Sequence, residues 1–371
     1  ESSLRIAIAG LGLLGASLAE AARRRFPGVR ISGVSSPETL DRAGKAGLIS
    51  DAFLYTEINA ALEDADFVFL CTPIDHIKGF LETWAGNPPT TRFGCILSDV
   101  GSTKAEICAL GRQAFRPDHP TGAIFIGSHP MAGSEKTGLE ARDPLLFENA
   151  SWVLCPEADA PEVSVRRLQA FIEALGARGS RMPPELHDKV AAHVSHLPQL
   201  LSSTLASFIG SRGDVVENCL QMAGGGFRDM TRLAASSFNV WEPILRSNHA
   251  EVQEVLAGFR DHLADLEKTL WNTRGQEFFK EGNRLRSRLS TSRKGFSSPL
   301  TEILVDLEDR PGALARALVP LAERGLNVQD LEILKVREGE AGVLMMAFRR
   351  PEEAQGALTI LAQAGYQGRL R

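Results

Sequence analysis

The first 180 or so residues alternate between short apolar runs and longer segments with helical periodicity. Six apolar runs predict β-strands, at 4–9, 29–34, 66–71, 95–97, 123–126 and 151–155. The run at 66–71 is apolar at almost every position, as expected for a strand that is buried on both faces. Strands that alternate with helices predict an α/β fold in which helices cover both sides of a parallel sheet. We place this dinucleotide-binding type of domain at residues 1–183.

The pattern changes after Pro183. Between residues 184 and 290 no segment predicts a strand, and long stretches at 187–209 and 242–269 predict helices. A polar stretch with a glycine, 290–298, predicts a linker. Beyond it the order β-α-β-β-α, with room for a last strand, predicts a ferredoxin-like domain. We therefore expect an all-helical domain at 184–290 and a third domain at 299–371.

A glycine-rich turn follows the first predicted strand. Gly10, Gly12 and Gly15 fit the spacing GxGxxG, with Leu13 and Leu14 inside it. Such glycines permit a tight turn, a close approach of backbone to a pyrophosphate, and close packing of the next helix, whose N–H groups can bind phosphate. The turn predicts dinucleotide binding. The alternative is a tight βα turn that binds nothing.

The end of the second predicted strand bears on the choice of cofactor. NAD-selective folds place Asp or Glu there to bind the ribose 2′-hydroxyl. This chain has Ser35 and Ser36, and no arginine follows directly to hold a 2′-phosphate. Two hydroxyls suit either cofactor. We predict NAD, with NADP as the alternative. Cys71, Thr72 and Pro73 follow another strand and are further candidates for cofactor contact.

Composition and charge narrow the classes of partner. The chain has 41 Lys and Arg against 46 Asp and Glu, a net charge of −5, which does not fit a basic nucleic-acid-binding surface. No apolar run approaches the ~20 residues that a membrane-spanning helix needs. Five scattered cysteines without CxxC spacing favour reduced thiols. We therefore expect a cytoplasmic protein with no nucleic-acid or membrane partner.

Polar residues after the later strands are candidates for chemistry, because ligands of open α/β sheets bind beyond the carboxyl ends of the strands. Ser102 lies in one such stretch, and His129 follows the next strand. Ser102 could instead be part of a helix N-terminus, where Thr103 and Glu106 make a capping box. His129 is followed by Pro and Gly at a strand exit. There a general base or a hydrogen-bond partner of a substrate hydroxyl is favoured over a structural histidine.

Five motifs in order resemble the prephenate/arogenate dehydrogenase family of tyrosine biosynthesis. They are GLGLLG, DVGSTK, SHPMAGSEKTG, HDKVAAHVSHLPQL and GGGFRDMTRLAASSFNVW, and the resemblance covers about residues 4–290. It implies an NAD(P)-dependent oxidative decarboxylation of prephenate to 4-hydroxyphenylpyruvate, and a homodimer joined through the helical domain. The alternatives are an arogenate or dual-specificity cyclohexadienyl dehydrogenase, and a non-catalytic sensor of an amino acid and a dinucleotide.

The resemblance also implies roles for individual residues. His129 matches the family's catalytic histidine, which accepts a hydrogen bond from the 4-hydroxyl of the substrate, and Ser102 matches the serine that shares this hydroxyl and contacts the nicotinamide. Arg232 matches the arginine that binds the substrate carboxylate. The other positions implied for substrate binding are Ser134, Glu135, Gln199, Gly225, Asp229 and Trp241. Glu135 could meet the ammonium of arogenate, repel a carboxylate of prephenate, or pair with Lys136 in solvent.

Four of these positions carry open questions. Gln199 stands where the family typically has a second histidine, so it can donate a hydrogen bond but cannot carry charge. Asp229 lies three residues before Arg232 and either orients it or forms an ordinary surface ion pair. Trp241 either walls the pocket or packs in the core. Gly225 either lets backbone approach the substrate or belongs to a flexible turn.

Three histidines, His187, His193 and His196, lie on the first predicted helix of the all-helical domain. His193 and His196 have i,i+3 spacing, but a metal site would need a further Asp, Glu, His or Cys ligand nearby. The family that the chain resembles uses no metal. We therefore predict no metal site.

The motif DRPGAL at 309–314 resembles an ACT domain, a regulatory module that binds amino acids. This resemblance implies an effector site at an ACT–ACT interface, formed by Asp309, Pro311, Gly312, Ala313, Leu314 and Asn327. Tyrosine, the end product of the pathway, is the expected effector, acting by feedback. The alternative is an ordinary junction between a loop and a helix.

Overall fold

The structure, a computed structural model, describes residues 3–116, 119–133, 136–288, 300–335 and 342–371. The chain divides into two compact units, Glu1–Thr269 and Leu270–Arg371. The predicted linker at 290–298 lies outside the described residues, as do Ser134 and Glu135. Among the helices in the described ranges, none combines the length and the hydrophobicity that crossing a bilayer requires.

The first unit contains an eight-stranded sheet. Its strands are β1 (Arg5–Ala9), β2 (Arg30–Val34), β3 (Asp51–Phe53), β4 (Phe67–Leu70), β5 (Ile96–Asp99), β6 (Ile124–Pro130), β7 (Ser151–Cys155) and β8 (Arg178–Arg181). Their spatial order is β3-β2-β1-β4-β5-β6-β7-β8. The order reverses between β1 and β4, the kind of point at which open α/β sheets bind ligands. The described pairs are parallel except β6 with β7, which is antiparallel.

Helices cover both faces of this sheet. They are α1 (Leu13–Arg25), α2 (Pro37–Lys45), α3 (Ile58–Leu62), α4 (Ile74–Gly86), α5 (Ala105–Ala114) and α6 (Glu162–Ala174). Side chains of β1 alternate between two cores: Ile6 and Ile8 pack in one cluster, Ala7 and Ala9 in the other. This double burial is the reason why the strands read as almost continuous apolar runs. The predicted α/β class is confirmed, and the β6–β7 pair is a departure from a fully parallel sheet.

The rest of the first unit is helical, as predicted. After α7 (Pro184–Ala191) comes one π-helical turn (Ala192–His196), and the chain continues through α8 (Leu197–Gly210), α9 (Val216–Met222), α10 (Gly225–Thr231), α11 (Phe238–Ser247) and α12 (His249–Thr269). The predicted helix at 242–269 is interrupted at Asn248, where the side chain is buried and bonded to neighbouring elements. π-Helical turns are frequent at functional sites, and this one carries His196.

The second unit begins with α13 (Thr273–Arg288) and continues as a β-α-β-β-α-β arrangement. Its elements are β9 (Thr301–Leu307), α14 (Ala313–Glu323), β10 (Asp330–Lys335), β11 (Gly342–Phe348), α15 (Pro351–Gln363) and β12 (Gly368–Leu370). The strand order is β10-β11-β9-β12, and each described pair is antiparallel. The ferredoxin-like prediction is therefore confirmed.

Candidate active site

The glycine loop between β1 and α1 is closely packed at two of its three glycines. Gly10 has φ +92°, and a Cβ there would lie 2.7 Å from the carbonyl oxygen of Cys71. A Cβ on Gly15 would overlap the carbonyl oxygen of Gly10. Both glycines are therefore required by the protein itself, since they let the loop close and let α1 pack against β4.

Gly12 is different, because a Cβ at this position would meet nothing within 4 Å. It is the N-cap residue of α1, and no side chain caps the N-terminus of this helix. Open space above uncapped N–H groups is what a pyrophosphate needs at a helix N-terminus. Leu13 and Leu14, in the first turn of α1, are partly buried beside this space. The loop thus fits the phosphates of a dinucleotide.

The other predicted cofactor residues lie at the carboxyl ends of β2 and β4. Ser35 is buried, whereas Ser36 is exposed and caps α2 by accepting from the backbone N–H of Thr39 at 3.5 Å. Thr72 is buried, and its hydroxyl has no hydrogen-bond partner in the described residues. Pro73 is the N-cap residue of α4. These residues follow the two strands that pair with β1, and the glycine loop follows β1 itself.

His129 lies near the end of β6, paired with Val153 of β7, and is only 8% exposed. Its Nδ1 atom is 2.9 Å from Nε2 of His187, and Nδ1 of His187 is 2.8 Å from Oδ1 of Asp188. Burial lowers the pKa of His129 well below its usual value, and the nearby His187, Lys104 and His196 lower it further. The candidate base is therefore neutral at neutral pH and able to accept a proton.

Asp188 reaches the N-terminus of α5. Its two carboxylate oxygens accept the backbone N–H groups of Lys104 (2.7 Å) and Ala105 (2.8 Å). The predicted capping box of Thr103 and Glu106 is wrong: the Thr103 hydroxyl bonds Ser247 instead. A carboxylate from another part of the chain satisfies these N–H groups, and its charge suits the positive end of the helix dipole.

A fully buried ion pair, Asp99 with Lys104, lies beneath the loop after β5. The other Asp99 contacts are to backbone: its carboxylate accepts the N–H of Gly101 at 2.8 Å and that of Ser128 at 3.1 Å. The Ser128 hydroxyl in turn donates to the Asp99 carbonyl oxygen and accepts from the indole of Trp152. The network joins the ends of β5 and β6, and so fixes the loop of Ser102 relative to His129.

His196, on the π-helical turn, lies on the helical side of this region. Its Nδ1 atom is 3.3 Å from the amide nitrogen of Asn248, and its ring meets Trp241 edge-on, with 5.9 Å between centroids. The pKa of His196 is lowered to about 4, mainly by burial; Asp188 opposes this shift and His187 adds to it. The Asn248 amide also donates to the carbonyl oxygen of Asp188 at 2.8 Å. Asn248 therefore ties α12 to both α7 and the π-helical turn.

Apart from Ser134 and Glu135, the residues predicted to bind substrate lie on the helical region. Arg232 and Asp229 are both exposed. Gln199 is buried, and its amide nitrogen donates to the carbonyl oxygen of Leu233 at 2.9 Å. It thus fixes the turn that carries Arg232. Two further candidates, half-buried Trp241 and exposed Gly225, lie at different points of the region.

Five of the predicted effector residues lie at the start of α14 in the second unit, whereas Asn327 lies before β10, at the end of the sheet where β9 begins. Gly312 has φ +78° and is the N-cap residue of the helix. Asp309, Pro311 and Asn327 are exposed, whereas Ala313 is buried. Leu314 packs against the core of the unit. The exposed members leave a surface loop that is open to a ligand.

Sequence reasoning missed the residues that hold the site together. They are Asp99, Lys104, His187, Asp188 and Asn248. Asp99 and Lys104 belong to the DVGSTK motif, and this motif is the sequence signal that could have identified them. His187 and Asp188 lie on the first helix of the helical region. No neighbouring sequence pattern indicates that they bond to His129 and to the backbone of α5. Among the residues that the structure describes, no group of three His, Cys, Asp or Glu side chains is placed to bind a metal ion.

The fold and the glycine loop define a Rossmann-type dinucleotide-binding protein with a helical region and a ferredoxin-like unit. Family models agree: residues 18–180 match the nucleotide-binding domain of prephenate dehydrogenase, 183–281 match its dimerization domain, and 301–365 match the ACT domain. A prephenate dehydrogenase of Bacillus subtilis is 30% identical over 98% of this chain and 97% of its own. This chain belongs to the prephenate dehydrogenase family and carries an ACT domain.

Solved structures give the same result. A prephenate dehydrogenase from A. aeolicus, in complex with hydroxyphenyl propionate and NAD+, has a TM-score of 0.68 and 26% identity, covering 78% of this chain and 99% of that chain. An arogenate dehydrogenase from Synechocystis has a TM-score of 0.65 and 30% identity, with coverage of 77% and 99%. The chain is thus similar to enzymes named for two different substrates.

Proposed function

We propose that this protein is a prephenate dehydrogenase that uses NAD to convert prephenate to 4-hydroxyphenylpyruvate and carbon dioxide. One observation carries the proposal: a buried, neutral histidine stands at the carboxyl end of β6 and is held through Nδ1, which leaves Nε2 for a substrate. The reaction needs such a group, because the hydroxyl at ring position 4 must lose its proton as it becomes a carbonyl.

His129 accepts this proton, and Ser102 shares the same hydroxyl as a second hydrogen-bond partner. Ser102 is half-buried in the loop that the Asp99 network holds against β6. NAD, when bound, takes the hydride from ring position 4, and the ring becomes aromatic as carbon dioxide leaves position 1. A neutral histidine suits this work better than a charged one, since only the neutral form has a lone pair to offer.

The cofactor would be held by the glycine loop and the neighbouring strand ends. Gly12 and the uncapped N–H groups of α1 suit the pyrophosphate, next to Leu13 and Leu14. Ser35 and Ser36 at the end of β2 would meet the ribose. Cys71, Thr72 and Pro73 would line the side toward the nicotinamide, together with Ser102.

Substrate binding requires positive charge close to the reacting ring. The planar guanidinium group of Arg232 can bind one carboxylate through two hydrogen bonds. Gln199 fixes the turn that carries Arg232, because its amide donates to the carbonyl oxygen of Leu233. Asp229, Gly225 and Trp241 would complete the helical side of the pocket. The proposed contributions of Ser134 and Glu135 fall in a segment outside the described residues.

Arogenate, or both substrates, is the second candidate. The similarity to an arogenate dehydrogenase of Synechocystis supports it, because that identity is as high as the identity to the prephenate dehydrogenase of Bacillus subtilis. The two substrates differ only in an amino group against a ketone. The discrimination therefore depends on a few polar side chains, Glu135 among them.

We also propose a three-domain organisation, 1–183, 184–290 and 299–371, in which the helical domain forms a homodimer. The family model for 183–281 is described as a dimerization domain, and several large apolar side chains of the helical region are exposed. They are Phe208, Leu220, Met222, Met230, Phe238 and Val240. Large apolar side chains that are exposed in this number suit a subunit interface.

The ACT domain would bind tyrosine and regulate activity allosterically. The exposed loop around Gly312, with Asp309 and Pro311, supports a ligand site there. Five free thiols support a cytoplasmic location. Millimolar tyrosine should change the rate and raise the melting temperature, and a failure of both would refute the effector.

Initial rates with prephenate or arogenate, each with NAD or NADP, test the proposed function. We expect reduction of NAD with prephenate, with 4-hydroxyphenylpyruvate as product. A protein that turns over none of the four pairs, although it binds NAD, would be the non-catalytic sensor. Faster turnover of arogenate would replace the substrate but keep the chemistry.

A further inference from the structure

Three side chains form one line of hydrogen bonds from the backbone of α5 to the candidate base. The backbone N–H groups of Lys104 and Ala105 donate to the carboxylate of Asp188. This carboxylate lies 2.8 Å from Nδ1 of His187, whose Nε2 lies 2.9 Å from Nδ1 of His129. His187, Asp188 and His129 are each at least nine-tenths buried, so water does not compete for these bonds.

These hydrogen bonds determine which ring nitrogen is protonated in His187 and in His129. A carboxylate that receives two backbone N–H groups at a helix N-terminus is stabilised as an anion, and an anion only accepts. Nδ1 of His187 must therefore donate, which leaves a lone pair on its Nε2 atom. Nδ1 of His129 then donates to that lone pair, and the lone pair of His129 is on Nε2.

We propose that His187, anchored by Asp188, is a positioning residue that fixes His129 as the Nδ1–H tautomer and receives its proton during the reaction. The inference rests on the proposed function of His129. When the substrate O–H bond breaks, an N–H bond forms at Nε2 of His129. The Nδ1–H bond of His129 breaks in turn, and an N–H bond forms at Nε2 of His187. His129 ends neutral, and His187 ends as an imidazolium ion beside the Asp188 carboxylate.

The surrounding charges favour this final position of the proton. Burial is the largest cause that lowers the pKa of His129, and the nearby His187 and Lys104 lower it further, so a positive charge on that ring is disfavoured. His187 instead touches a carboxylate, which favours a positive charge. The second proton step therefore moves charge from the disfavoured ring to the favoured one, over a distance of one hydrogen bond.

Two substitutions test the proton transfer to His187. In His187→Gln the amide oxygen can still accept from Nδ1 of His129, but it cannot take up a proton. In Asp188→Asn the amide oxygen can replace Oδ1 and still accept the backbone N–H of Lys104 and the Nδ1–H of His187, so the tautomers are kept, but the anion beside a protonated His187 is lost. His193→Gln is the matched control, because His193 is an exposed histidine six positions along whose Nδ1 contacts only the Lys189 carbonyl oxygen among the described residues.

Steady-state kinetics with prephenate and NAD, and ¹⁵N NMR of labelled histidines, provide the readouts. We expect kcat to fall about 10-fold to 100-fold in both variants, part of the ~10²–10⁴ that a general base contributes. Both KM values and the melting temperature of His187→Gln should change little, and His193→Gln should match the wild type. The spectra should show His129 as the Nδ1–H tautomer in the wild type and in both variants.

A kcat of His187→Gln within about threefold of the wild type would overturn the proton transfer. An Nε2–H tautomer of His129 in the wild type would overturn the positioning role, and it needs no variant that might lose its fold. Either result can occur while the wild type oxidises prephenate and His129→Asn is inactive, in which case the proposed function stands. A wild type that never turns over prephenate would instead refute the function.

Discussion

Nδ1 of His129 lies 2.9 Å from Nε2 of His187, although 58 positions separate them in the sequence. His129 belongs to the sheet, and His187 belongs to the first helix of the helical region. The orientation of the candidate base therefore depends on how that region packs on the sheet. Asn248 supports the packing by donating to the carbonyl oxygen of Asp188. Substitutions at this junction should affect catalysis even where they touch no substrate.

The pH dependence of kcat should follow the protonation of His129. Burial lowers the pKa of this histidine well below 6.5, and only its neutral form accepts a proton. As the pH falls, kcat should thus stay constant through pH 6.5 and decline only well below it, where the imidazole becomes charged. Rates at saturating substrate, measured from about pH 8 down to about pH 5, check this. A decline centred at or above pH 6.5 would contradict the neutral, buried base.

The glycines of the β1–α1 loop should separate folding from cofactor binding. Gly15→Ala places a Cβ onto the Gly10 carbonyl oxygen and should cost at least about 1–3 kcal/mol of unfolding free energy. Gly12→Ala meets open space, at φ −79°, and should leave the melting temperature unchanged. It should still raise the KM for NAD about 10-fold or more, since the methyl group fills the space for the pyrophosphate.

Melting curves and NAD titrations of the two proteins make the comparison. If Gly12→Ala binds NAD as tightly as the wild type, the dinucleotide does not pass over this loop. If Gly15→Ala is as stable as the wild type, the close packing between α1 and the loop is not needed for the fold.

The buried pair of Asp99 and Lys104 should be costly to break. Lys104→Met leaves the buried Asp99 carboxylate without its counter-ion, held only by two backbone N–H groups, and should lower the unfolding free energy by about 3–5 kcal/mol. The double variant Asp99→Asn with Lys104→Met should recover part of this loss. Lys78→Met removes the exposed ion pair with Glu106 and should cost less than about 1 kcal/mol. Urea unfolding measures all three, and equal losses for Lys104→Met and Lys78→Met would contradict the buried pair's importance.

Sequence patterns predict the elements of this protein better than the contacts between them. The buried strands and the glycine loop are predictable because alternation and spacing are local. The two missed strands carry weak patterns: β3 has three residues, and β8 is largely exposed and begins and ends with arginine. The cap of α5 shows the larger limit. Thr103 with Glu106 is a sound local solution, yet Asp188 takes the position from 84 residues away.

The site is predictable to a similar extent. His129 and Ser102 stand within recognisable motifs, so their region can be found from the sequence alone, although His129 lies inside β6 and not after it as predicted. Gln199 stands at a predicted pocket position, but its amide is buried against the Leu233 carbonyl oxygen. Whether such a side chain binds a ligand or supports a neighbouring turn depends on tertiary packing, which spacing does not encode.

Arg232 should act on substrate affinity rather than on the chemical step. Arg232→Ala removes a charge-assisted hydrogen bond to a carboxylate and should raise the KM for prephenate about 10-fold to 100-fold, with little change in kcat. Arg228→Ala, an exposed arginine on α10, is the control and should leave both constants near the wild-type values. An unchanged KM in Arg232→Ala would remove this arginine from substrate binding.

The central claim is that His129 accepts the proton of the substrate hydroxyl. The most direct test is kcat of His129→Asn with prephenate and saturating NAD, since Asn keeps a polar side chain but cannot accept the proton. We predict a fall of about 10²–10⁴ in kcat, with the affinity for NAD retained. A kcat within about threefold of the wild type would contradict the mechanism.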